Sequence, residues 1–292
     1  MSKVTIFSII VPVYEDWHLV PSLINKLDQQ TLDKIKFEVI LVDNGSDVFL
    51  EPSYLPQNVK ILKCSSAGSY AARNYAVKHA KGVWLVFTDA DCLPRNNWLE
   101  ILLDKINNTE NKETIFAGAI QMKSDSEYPS IYEMYDMVKG IPQEWYVKRG
   151  YAVTANLTVS ATLLKRLGGF NRFRYSGGDA EFTRSAVLQG AKLYYVGNAI
   201  VEHPTRKSWK TIATKARRVK GGQLTSGTAR DRNLWLVRTF TPPVIAFIRF
   251  LSNRNQPLLY RLAAVVVQFK VWFVEVYEAY NLMVRKRRPE RR

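Results

Sequence analysis

Residues 83–92 read VWLVFTDADC, five apolar residues that give way within one position to two aspartates separated by an alanine. The run is apolar throughout instead of alternating, which marks a strand covered on both faces. Two earlier runs share this character, SIIVPV at 8–13 and FEVILV at 37–42, and a shorter strand-like segment lies at 59–63. Helix-like stretches at 19–29, 69–80 and 98–107 separate them. Right-handed crossovers turn this βαβα order into an α/β fold with a mostly parallel, doubly wound sheet. The loops leaving the strands then share one edge: Tyr14-Glu15-Asp16, Asp43 to Asp47, Ser65 to Gly68 and Asp89-Ala90-Asp91.

Beyond residue 107 the pattern weakens, and the aromatic-rich stretch from Tyr128 to Tyr146 fits no clear element. A strand-like run at 152–160 precedes a helix at 161–167, which Gly168-Gly169 terminates as C′ glycines do. Gly177-Gly178 lead into a helix at 180–189, with Asp179 expected at its N-cap, and 192–196 is again strand-like. The net charge of +16 is unevenly spread: residues 1–200 hold 22 Lys and Arg against 21 acids, residues 201–292 hold 20 against 5. A balanced domain over 1–205 followed by a basic, helical appendage over 206–292 is the division this implies. Cys64 and Cys92 form neither a disulfide framework nor a CxxC pattern, and the first residues lack a signal-peptide layout, so a reduced cytoplasmic protein is expected.

Two carboxylates at the ligand edge of a sheet suit Mg²⁺ or Mn²⁺ held together with substrate phosphates. Alone, such a triplet more often caps the following turn and helix. Here SIIVPVYED, VILVDNGSD, GSYAARNYAVKHAKG and VFTDADC occur in order, each loop after a strand. Over residues 5–205 the chain thereby resembles glycosyltransferase family 2, with its P-x-Y strand end, acidic second loop, A-R-N helix start and DxD motif.

The resemblance implies a GT-A fold and inverting, metal-dependent transfer of a hexose-type sugar from a nucleoside-diphosphate donor, UDP-linked by expectation, to an acceptor hydroxyl. The donor would occupy roughly 1–107 and the acceptor 108–205. Pro12, Tyr14 and Glu15 would border the nucleotide and Asp43 would face the base. Arg73 would lie near the base or diphosphate, and Asp89 would meet the ribose and share Mn²⁺ or Mg²⁺ with Asp91. His203 would reach the metal or diphosphate. Asp179 inherits the role of general base, with Glu181 in reserve. Read without the resemblance, Asp43 is an Asx-turn residue, Arg73 half of a surface ion pair and His203 structural. Two positions depart from the family pattern: Asn44 replaces a second aspartate, and Gly178 replaces the glutamate of an E-D pair. The basic segment Lys215, Arg217, Arg218, Lys220 before Gly221-Gly222 reads as a mobile lid over the diphosphate or as a solvated helix face.

A dinucleotide-dependent oxidoreductase would need a glycine-rich turn after the first strand, where this chain has Pro12-Val13-Tyr14-Glu15-Asp16. A basic nucleic-acid-binding protein leaves the DxD unexplained, and nucleic acid is not an expected partner. A catalytically dead, GT-A-like binding protein would draw on Asn44 and Gly178. Finally, residues 257–284 carry apolar side chains at helical intervals, among them Leu258, Leu262, Val266, Phe269 and Phe273, followed by RKRRPERR. Such a helix packs either on the domain or on lipid. The basic end favours peripheral attachment to an anionic membrane at its cytoplasmic face through 257–292, with a lipid-linked or cell-envelope glycan acceptor, as in polysaccharide biosynthesis.

Overall fold

The computed structural model describes residues 4–285 except 112, 175 and 226, so most of the basic cluster (286–292) lies outside the described residues. In chain order the elements are β1 (Phe7–Val13), α1 (Val20–Asp28), β2 (Phe37–Asp43), β3 (Val59–Lys63), α2 (Ser69–Val77), β4 (Trp84–Phe87), β5 (Leu93–Pro94) and α3 (Trp98–Asn107). Then follow β6 (Thr114–Lys123), α4 (Ile131–Lys139), α5 (Gln143–Val147), β7 (Leu157–Ser160), α6 (Ala161–Arg166), α7 (Gly178–Leu188) and β8 (Lys192–Pro204). The last four helices among the described residues are α8 (Trp209–Thr225), α9 (Ala229–Phe240), α10 (Val244–Leu251) and α11 (Leu258–Met283).

The strands form one sheet in the order β3-β2-β1-β4-β7-β6-β8-β5. Its first half is parallel, with Phe7 opposite Phe37 and Trp84. Beyond β4 the sheet is mixed, because β7 runs antiparallel to both β4 and β6 and β5 antiparallel to β8. The expected strand at 152–160 begins only at Leu157, since Thr154 to Asn156 form a single 3₁₀ turn.

The uninterrupted apolar runs have a direct cause in packing. Along β1, Phe7, Ile9 and Val11 enter the core shared with α1 and α3, while Ile10 enters the core shared with α2, α6 and α7. Trp84 and Val86 of β4 divide from Leu85 and Phe87 in the same way. Both faces are dry, so nearly every position is apolar, and the polar exceptions Ser8 and Glu38 are joined by a hydrogen bond of 2.6 Å.

The chain divides into two compact units. The first comprises residues 4–121, 142–173 and 178–203 and contains the sheet. The second gathers 122–141, 174, 176–177 and 204–285, so part of the stretch without a clear element in the sequence, namely α4, belongs with the C-terminal helices. Helix α4 starts in a capping box between Ser130 and Glu133. The core of this unit joins Tyr135 and Val138 of α4 to Ile212, Phe250, Val267 and Val271. Helix α8 runs unbroken through Gly221 and Gly222, and Lys220 is buried with its Nζ 3.0 Å from Thr239 Oγ1 and 3.3 Å from Glu275. Lys220 is therefore not part of a solvated face. Helix α11 is apolar on two sides: Ala264, Val267 and Val271 are buried, whereas Leu258, Leu262, Val266, Phe269 and Phe273 are exposed.

Candidate active site

Strand β4 ends at Phe87, and the Thr88 hydroxyl fixes the exit by donating to the Ala155 carbonyl at 3.0 Å. The chain then passes through Asp89-Ala90-Asp91 into β5, whose Leu93 and Pro94 pair with Glu202 and Val201 of β8. Extending that antiparallel register by one step sets His203 across from Cys92, and His203 Nε2 lies 3.6 Å from Asp91 Oδ2. A histidine far away in sequence thus reaches the DxD because two short strands pair.

Ligand atoms of Asp91, Cys92 and His203 lie within 4.8 Å of one another. Burial, reinforced by the charges of Asp91 and Asp89, pushes the Cys92 thiol well above its usual range and keeps it protonated. The carboxylate oxygens and imidazole nitrogen of this group suit Mn²⁺ or Mg²⁺.

Helix α2 organises the opposite side. Arg73 is buried and its guanidinium donates to Asp89 Oδ1 at 2.5 Å, so it is not half of a surface ion pair. Loss of hydration pushes the Asp89 carboxyl up, Arg73 pulls it back and Asp91 raises it again; His203 and Asp179 act on it from electrostatic range as well. One turn before Arg73, the Tyr70 hydroxyl donates to Asp179 Oδ1 at 3.0 Å. Positions three apart share a helix face, so one face of α2 anchors both the DxD and Asp179. Burial, with the adjacent Asp179 charge, drives the Tyr70 hydroxyl far above the ordinary phenol range, so it acts as a donor.

Asp179 lies in the first turn of α7 and not at its cap, because the helix already begins at Gly178, after Gly177 with φ at 76°. Its Oδ1 also accepts the Ala180 N–H at 2.9 Å and its Oδ2 the Thr154 N–H at 3.2 Å. A Cβ on Gly178 would sit 2.8 Å from the Tyr70 ring, which explains why this chain has no glutamate before Asp179: the aromatic ring fills that space. Glu181 is exposed.

The β1 and β2 loops are held differently. Glu15 adopts φ of 61°, receives the Asp47 N–H on its carboxylate at 2.6 Å and donates its own N–H to Ser46 Oγ at 3.0 Å. Asp43 accepts from Trp17 Nε1 at 2.8 Å and from the Gly45 and Ser46 amides, so it is the Asx-turn organiser of its loop. Tyr14 and Pro12 are half-buried beside them. Asn44 has a structural reason for replacing aspartate: its amide donates to the Ser66 carbonyl at 2.7 Å while its oxygen accepts the Gly68 N–H at 2.7 Å. A carboxylate cannot donate to Ser66. The structure thus brings Asp89, Asp91, Arg73, Asp179 and His203 together, whereas Glu15 and Asp43 tie loops to one another.

Sequence reading passes over Tyr70 and Trp17. Only the three-residue offset between Tyr70 and Arg73 carries a signal for the former, and nothing local marks the latter.

A family model described as Glycosyl transferase family 2 matches residues 8–167. Glycosyltransferase AglE of Haloferax volcanii is 31% identical over 230 residues, covering 75% of this chain and 74% of that protein. Mannosyltransferase PcManGT from Pyrobaculum calidifontis, solved with GDP-Man and Mn²⁺, superposes at a TM-score of 0.61 with 15% identity, covering 96% of this chain and 88% of its own. TarS of Staphylococcus aureus (residues 1–349), solved with UDP-GlcNAc, gives a TM-score of 0.52 at 17% identity over 96% of this chain and 74% of that one. At such identities the structural likeness establishes the GT-A fold.

Proposed function

Because the chain belongs to glycosyl transferase family 2, we propose that it moves a sugar from a UDP-linked donor to an acceptor hydroxyl with inversion at the anomeric carbon. Asp179 takes the proton from the acceptor oxygen, that oxygen bonds to the anomeric carbon from the far side, and the nucleoside diphosphate leaves with the electron pair of the broken bond. Asp91, Asp89 and His203 would hold a divalent cation, whose charge stabilises the departing diphosphate when it is bound. Arg73 fixes Asp89, and Tyr70 with Thr154 fixes Asp179. The observation that carries this reading is the single face of α2, from which Tyr70 reaches the base and Arg73 reaches the DxD.

A screen for slow donor hydrolysis tests it without knowledge of the acceptor. UDP-sugars with Mn²⁺ or Mg²⁺ are expected to release nucleotide, and chelator to stop the release. GDP-mannose is the control arm, since a relative with this fold was solved with it. No metal-dependent hydrolysis with any nucleotide sugar would favour the catalytically dead alternative.

Tyr70→Phe is expected to lower kcat about tenfold while donor KM stays near wild type, because the hydrogen bond that orients Asp179 Oδ1 is lost. An unchanged kcat would show that Tyr70 only fills space beside Gly178.

Attachment to the cytoplasmic face of an anionic membrane, with a lipid-linked or cell-envelope glycan as acceptor, completes the proposal. The exposed apolar side of α11 supports it, as does the excess of basic residues in 201–292. No single described helix is long and apolar enough to cross a membrane, and only the bent pair α9 and α10 passes a length-and-composition test together.

A further inference from the structure

Helix α10 has the sequence VIAFIRFL and follows Pro242-Pro243. Phe250 anchors it, 1% exposed and edge-on to Tyr135 at 6.1 Å between ring centroids. Its opposite side is bare: Ile245 is 85% exposed and Ile248 61%, with Val244 and Leu251 exposed on the same helical face. An eight-residue helix whose four largest aliphatic side chains outside its anchor all stand in water is an unpartnered face, not scattered surface apolarity.

The surrounding charge identifies the occupant. Residues 229–261 carry six arginines (Arg230, Arg232, Arg238, Arg249, Arg254 and Arg261) against one acid, Asp231. Asp231 is itself committed to the capping box of α9 with Thr228. An exposed apolar helix face in so arginine-rich a segment, with Arg249 exposed on α10 itself and Arg261 donating to the Leu251 carbonyl at its end, matches the boundary between anionic headgroups and acyl chains, where the aliphatic tips enter hydrocarbon and the guanidinium groups stay among phosphates. Eight residues extend only about 12 Å, against roughly 30 Å of hydrocarbon, and α10 is bent by 68° from α9. Insertion is therefore interfacial, not spanning.

We propose that α10 is the element that penetrates an anionic bilayer, with Ile245 and Ile248 as its insertion points. This rests on the peripheral-membrane reading above, and the test separates the two. Ile248→Cys, labelled with an environment-sensitive fluorophore, reports the depth of α10; the native Cys64 and Cys92 are buried and leave the label selective. With vesicles of phosphatidylcholine and phosphatidylglycerol, the full chain is expected to show a blue-shifted label, quenched by lipids brominated on the acyl chain. Ile245→Glu should weaken vesicle binding at least tenfold at an unchanged Tm, because that side chain is exposed. If the protein sediments with vesicles but the label stays water-like and Ile245→Glu binds normally, α10 does not insert and attachment runs through α11. If nothing sediments at low salt, both readings fall. If lipid-free protein dimerises and Ile245→Glu abolishes the dimer, a second copy covers the face and the proposal is overturned.

Discussion

Asp179→Asn is expected to lower kcat by about 10²–10⁴-fold, the usual contribution of a positioned general base, while donor affinity stays near wild type. The two measurements should separate because Asp179 holds the proton acceptor's place and the nucleotide is assigned to other residues. The substitution is nearly isosteric but not free of structural effect. Whichever way the amide turns, its NH₂ faces a backbone donor, Ala180 N–H on one side or Thr154 N–H on the other. A mismatch of this kind costs roughly 1–3 kcal/mol of stability. Tm should therefore be recorded alongside kcat, and a modest loss of Tm does not explain a hundredfold loss of turnover. Near-normal turnover would move the base to Glu181 or elsewhere.

Asp91→Ala is expected to abolish the metal-dependent part of donor binding. In the wild type, UDP should raise Tm only when Mn²⁺ or Mg²⁺ is present. A ligand at 100 times its Kd stabilises the folded state by about 2.7 kcal/mol, which a thermal melt resolves easily. The variant keeps His203 and Asp89, yet loses the carboxylate that faces His203 at 3.6 Å. With one oxygen ligand gone from a small donor set, the shift should vanish, and kcat/KM should fall by at least about 100-fold through lost charge stabilisation at the leaving group. A full metal-dependent shift in Asp91→Ala would show that the cation is held elsewhere.

Much of the first unit was legible because its signals are local. The strands β1 and β3 and helix α3 fall on the expected residues, since a strand such as β1, covered on both faces, is almost wholly apolar and a helix must repeat its apolar residues every three to four. The DxD, the A-R-N helix start and the position of Asp179 after two glycines are likewise fixed by neighbouring residues. The C-terminal half of the sheet was less legible. Its strands pair antiparallel across long separations, and a short β5 carries no periodicity of its own.

What the sequence by itself determined is therefore the parallel half of the sheet, the family and the identity of the acidic residues at its edge. What only the tertiary structure decided is who touches whom. It gave Asn44 and Gly178 a reason, the first through hydrogen bonds to the Ser66 to Gly68 loop and the second through the Tyr70 ring. It decided against a surface ion pair for Arg73, which is the buried anchor of Asp89, and it divided α11 into a packed and an exposed face. Local order follows from backbone periodicity and capping, which span a few residues. Hydrogen bonds such as Tyr70 to Asp179, 109 positions apart, depend on how the helices pack against the sheet, and no short stretch of sequence encodes that.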